Sequence, residues 1–177
     1  MSPACGRRAA IALTLPAALL ACSPALDWRE VRPEGTAVTA LFPCRPERHE
    51  REVPIAGATL RMQLHACDAA GSTFSLAVVD GVDPARVEPV LAALKASAAA
   101  NVGGGAPRVE PFAPPGATPN PSSALVHVEG RRPDGRAATL HAGFFVHGVR
   151  VFQATAVGDR LTEDALQSFF GAIRVAP

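Results

Sequence analysis

Hydrophobic and polar positions alternate with a period of two along most of the chain from Trp28 onward, and twice the spacing turns helical. Trp28 to Arg32 and Thr36 to Phe42 read as strands around a Pro33-Glu34-Gly35 turn. Phe42-Pro43-Cys44-Arg45-Pro46 stops the second strand, since proline does not serve a central ladder. Arg45 to Glu52 reads as a charged, solvated stretch. Thr59 to Ala66 places Leu60, Met62 and Leu64 on one face, and Thr73 to Val79 is the next strand. Ala69-Ala70-Gly71-Ser72 joins the two as a hairpin. Asp83-Pro84 caps a helix with Val87, Val90, Leu91, Leu94 and Ala98 on one stripe. Pro89 implies either a kink or a regular helix that starts near Glu88. Gly103 ends it.

Gly103 to Pro121 holds three consecutive glycines and six prolines, and is expected to be a mobile loop or partly ordered excursion. Ser123 to Gly130 and Ala137 to Val146 are strands joined through Arg132-Pro133-Asp134-Gly135. Val149 to Val157 follows a two-residue turn at His147-Gly148, and Thr162 caps a short helix carrying Leu166, Phe169, Phe170 and Ile173. The expected fold is α+β: an antiparallel sheet with one long inserted helix and a short C-terminal helix.

The first residues follow another pattern. Arg7 and Arg8 precede an uncharged apolar run, Ala9 to Ala21, of 13 residues. A bilayer-spanning helix needs about 20 residues, so the run reads as the core of an export signal. Leu19-Leu20-Ala21-Cys22 resembles the bacterial lipobox, in which the cysteine is lipidated and becomes the first residue of the mature protein. Cleavage of an ordinary signal after Ala21, releasing a soluble periplasmic or secreted protein, is the other reading. Arg7-Arg8 leaves both the general and the twin-arginine export routes open. Ser23 follows the cysteine, and by resemblance to proteobacterial lipoproteins this implies the periplasmic face of the outer membrane. Ser23 to Asp27 would then tether the domain, and five residues reach at most about 18 Å.

Removing residues 1–21 leaves 156 residues, one domain's worth, and lowers the basic residues from 17 to 15 against 16 acidic ones. A net charge of −1 argues against nucleic acid as a partner and against a polybasic lipid patch. Cys5 leaves with the signal and Cys22 takes the lipid. Cys44 and Cys67 remain, and in an oxidising compartment they are expected to form a disulfide. Such a bond would require residues 45–57 to carry the chain back across the sheet.

The element order and three short motifs resemble the PsbP-like family of small α/β/α sandwich proteins. Phe42-Pro43-Cys44-Arg45-Pro46 matches that family's opening "FP-x-x-P" step. Val149-Arg150-Val151-Phe152-Gln153 resembles its penultimate strand, and Gln167-Ser168-Phe169-Phe170 its closing helix with altered spacing. The resemblance spans about residues 28–175 by element order. It implies an assembly factor or accessory subunit and carries over no catalytic residue.

No GxSxG, phosphate loop, HExxH or CxxC pattern occurs, so the domain is expected to be non-catalytic, an enzyme of unrecognised type being the alternative. Asp80 and Asp83 flank Gly81 without the continuing spacing of a calcium loop, so they read as a capping turn. The histidines are more informative. A three-residue loop, Pro133 to Gly135, pairs Arg132 with Arg136. Counting back then sets His127 opposite His141, with Glu129 and Thr139 the next pair on that face. Two imidazoles and a carboxylate are a donor set for zinc or copper. Leu125, Phe145 and Phe152 share this face; the other, with Val126, Val128, Leu140, Phe144, Val146 and Val151, is the expected core. His49 and His147 read as solvated, and Trp28 as packed under the first strand.

Overall fold

A computed structural model describes residues 26–132 and 134–176. The expected export signal at residues 1–21 and the expected lipidation of Cys22 fall outside the described residues. Ten strands and two helices follow in order: β1 Arg29–Val31, β2 Val38–Phe42, β3 Glu47–Ile55, β4 Ala58–Ala69, β5 Ser72–Asp80, α1 Val87–Ala100, β6 Arg108–Pro111, β7 Ala124–Arg131, β8 Ala137–His147, β9 Arg150–Gly158, α2 Glu163–Gly171 and β10 Arg174–Val175. The α+β class with a mainly antiparallel sheet is as expected. The large sheet runs β3-β4-β5-β9-β8-β7-β6, every neighbour antiparallel, and a small sheet runs β1-β2-β10.

The central strands of the large sheet are buried on both faces, which corrects the expectation of one core face. On one side, Val90, Leu91, Leu94 and Ala98 of α1 cover Val79, Val126, Val128, Leu140, Phe144 and Val151. On the other, β2 and α2 cover Phe74, Leu76, Phe145, Phe152 and Ala154. Phe169 of α2 meets Phe42 and Phe74 edge to face, with centroids 5.4 and 5.3 Å away. Phe145 and Phe152, expected beside a polar face, are fully buried and stacked at 4.8 Å. Strict alternation assigns one face to water only when the other layer is absent; here α2 and the small sheet supply that layer. Trp28 lies half-buried against this second core.

Local chemistry explains most boundaries. Gly35, at φ 73°, closes the turn in which Thr36 N–H donates to Pro33 C=O. Asp83 accepts from Ala85 N–H and opens a 3-10 turn, Pro84–Arg86, that leads into α1. Pro89 therefore falls in the first turn of α1, where its missing N–H is needed by no carbonyl. Gly103, at φ 50°, donates to Ala100 C=O just past the helix end. Thr162 caps α2 by accepting from Ala165 N–H. His147 pairs with Arg150, so the two-residue hairpin loop is Gly148-Val149, one position later than expected.

Two stretches expected to lack structure are strands. Residues 45–52 contribute to β3, paired with β4 along its whole length. Glu47 to Glu52 are all exposed, because β3 is an edge strand with neither face covered there. Charge and Pro54 suit such an edge, since both discourage pairing with a further chain. Inside the Gly/Pro-rich stretch, Arg108–Pro111 forms β6, the opposite edge, paired with β7. The remainder is held by tertiary contacts. Phe112 packs on Phe145 and Phe170, at 6.1 and 6.0 Å. Thr118 N–H donates to Val146 C=O, and Val175 N–H to Pro115 C=O, both at 2.8 Å.

Cys44 and Cys67 are disulfide-bonded. Residues 45–57 form β3 and its turn, so the bond closes the base of the β3–β4 hairpin, as the expected path of the chain requires.

Candidate functional site

The hairpin β7–β8 sets His127 directly opposite His141, because Arg132 and Arg136 pair across the turn as expected. His127 Nδ1 and His141 Nε2 stand 3.2 Å apart, with ring planes at 80°. At that distance one nitrogen carries a proton and the other accepts it, so the pair holds at most one extra proton without losing the bond. Burial, then the neighbouring His127 and Arg108, push His141 down to about 4 against an opposing pull from Glu110. At neutral pH the His141 ring is a neutral imidazole.

The pair forms the floor of a groove of about 330 Å³. One wall is α2, with Glu163, Leu166, Gln167 and Phe170; the other is β6, with Arg108 and Glu110. Arg108 is opposite His127, and Glu110 opposite Leu125, so Glu110 lies diagonal to His127 on the same face. Arg108 and Glu110 pair at 3.0 Å. Neither was legible as a site residue, since both fell in the presumed loop. Their signal was the alternation Arg-Val-Glu, short and bounded by prolines.

Glu129 is placed differently from the expected donor set. Its carboxylate, 83% exposed, stands 3.7 Å from His127 Nε2, the ring nitrogen turned away from His141. The two imidazoles converge; Glu129 addresses the back of one of them. Among the described residues no three His, Cys, Asp or Glu side chains stand together closely enough to hold a metal ion.

A second cleft, of about 290 Å³, opens on the same face at the other end of the strands. Arg61 and Arg150 clamp the Asp80 carboxylate at 2.8 and 2.9 Å, and Gly81 N–H adds a bond at 2.9 Å. Burial raises the Asp80 pKa, but Arg61, Gly81 and Arg150 together outweigh it and hold the carboxyl below its usual value. Arg48 bridges Glu34 and Glu50 at 3.0 and 2.9 Å. The three guanidiniums are thus matched by three carboxylates, and the network ties the β1–β2 turn to the large sheet. His65, buried beside it, meets the Gln63 amide at 2.8 Å; burial, then Arg48, lower its pKa. Asp83 caps the turn into α1 as expected, whereas Asp80 ends β5 and is held by Arg61, Arg150 and Gly81 N–H instead of capping a helix. His49 is exposed on β3 and His147 ends β8.

No protein-family model matches the chain, and no curated protein matches it in sequence.

Proposed function

We propose that the protein is a lipoprotein of the bacterial cell envelope, anchored through Cys22, whose α+β domain acts as a non-catalytic binding or assembly module close to the membrane surface. The observation that carries this reading is how soon the domain begins after the lipobox. Leu26 already packs against the core beneath α2, and Asp27 N–H donates to Pro43 C=O at 2.8 Å. Leu26 is four positions along from Cys22, a reach of at most about 14 Å. A domain tethered that tightly works at the lipid surface. Ser23 favours the outer membrane by its resemblance to the sorting position of proteobacterial lipoproteins. The covering of a central antiparallel sheet by α1 on one side, and by α2 with the small sheet on the other, supports a PsbP-like α/β/α sandwich. The paired charges of the second cleft fit a structural role better than an acid–base one.

The test is capture from chemically crosslinked cells, comparing the wild-type chain with Cys22→Ala and identifying bound proteins by mass spectrometry. A protein partner in the cell envelope, recovered only with the anchored form, is expected. Turnover of ester, phosphate or peptide substrates by the purified protein would contradict a non-catalytic role.

A further inference from the structure

We propose that the groove beside α2 binds a divalent metal of the zinc–copper class through the two preassembled donors His127 Nδ1 and His141 Nε2, with the carboxylate of Glu110 moving in from Arg108 as a third on binding. Metal–imidazole bonds of about 2.0–2.1 Å at a tetrahedral angle require the two nitrogens to stand roughly 3.3 Å apart. The observed separation of 3.2 Å already provides that bite. It is set by backbone register across β7–β8 and costs no rearrangement of the sheet.

The proton shared by the two rings has somewhere to go. A ring that binds metal through one nitrogen carries its proton on the other. For His127 that other nitrogen is Nε2, which faces Glu129 at 3.7 Å. Glu129 therefore stands where a carboxylate accepts from a metal-bound imidazole, behind the ligand. The third donor comes from the groove itself. Glu110 lines it on the same face as His127, held by Arg108 at 3.0 Å. Binding requires Glu110 to exchange the guanidinium for the metal. Arg108 consequently opposes binding twice, by holding Glu110 and by its own charge. Water completes the coordination, since the groove is open to solvent.

Calorimetric titration of the purified full chain with zinc chloride or copper chloride tests this, alone and with single variants. One metal per chain is expected. His127→Ala and His141→Ala should weaken binding by at least about a hundredfold, and Glu110→Gln by about tenfold. Arg108→Gln should tighten it several-fold, which a merely structural role for Arg108 would not do. Glu129→Gln should retain one site but weaken it several-fold, because it removes the carboxylate acceptor behind His127. Should the histidine variants fold poorly, the wild-type chain answers by itself. Substoichiometric copper should broaden the ring-proton resonances of His127 and His141 and spare those of His49, His65 and His147. The absence of binding to both metals, or broadening centred on His49 or His147, would overturn the proposal. The metal site does not depend on the anchor, so binding unchanged in Cys22→Ala separates its outcome from that of the lipoprotein reading.

Discussion

Two alanines sit where glycine or asparagine is favoured. The β3–β4 and β4–β5 turns each hold both central residues at positive φ: Ala56 at 50° with Gly57 at 74°, and Ala70 at 50° with Gly71 at 78°. These are the angles that two-residue hairpins of the primed type require. An alanine in that region costs about 1–2 kcal/mol. Ala56→Asn and Ala70→Asn should each stabilise the domain by about 0.5–1 kcal/mol in urea unfolding, without altering its circular dichroism. The His141 ring sets an acid limit. Its pKa falls from 6.5 to about 4 on folding, so between those values the unfolded chain binds more protons. Stability should therefore decline as pH is lowered through that window. His65, lowered by burial and then Arg48, acts in the same direction. Urea midpoints at pH 7.5 and 4.5 check this, and His141→Gln should lessen the difference. The His127–His141 pairing was legible because a strong turn sequence pins the register. The groove above it was not, because its walls come from β6 and α2, remote in sequence from the hairpin.

At the scale of elements, legibility followed local pattern. The β4–β5 hairpin and the β7, β8 and β9 strands carry period-two alternation and turn residues, and the sequence revealed them to within a residue, except that β4 runs three residues beyond its expected end at Ala66. β3 has no such pattern: it runs Glu47-Arg48-His49-Glu50-Arg51-Glu52 and is a strand because β4 offers it a ladder. β6 is hidden among prolines for the same reason, and the two-residue β10 exists only through its pairing with β2. The segment after β6 is fixed by Phe112, whose ring lies over Gly143. A Cβ at Gly143 would stand 2.6 Å from that ring. Gly143→Ala should displace Phe112 and destabilise the domain by about 1–3 kcal/mol, read from thermal or urea unfolding. The disulfide secures the other edge. Cys44→Ala with Cys67→Ala should cost roughly 3 kcal/mol, and proteolysis should then cut first within β3 or its turn.

At the scale of the molecule, the first described residues and the histidine groove lie toward the same end of the strands. Cross-strand pairing places Cys67, Phe74, Ala156, His141 and His127 in one row across the large sheet. The disulfide ends one side of that row, next to Pro43 and the first described residues; the groove ends the other. The groove and the first described residues thus share one end of the strands but lie toward opposite edges of the sheet, and the Asp80 cleft lies at the other end of the strands. Both edges of the sheet are blunted, β3 by charge and Pro54, β6 by its brevity and Pro111. Neither edge favours strand addition by a further chain. The proposed anchor at Cys22 is open to mass spectrometry of the amino terminus of the protein purified from membranes. The chain is expected to begin at Cys22, to carry acyl groups, and to be lost from membranes in Cys22→Ala. A chain that begins at Cys22 or Ser23 without added lipid, recovered in the soluble fraction, would contradict the anchor.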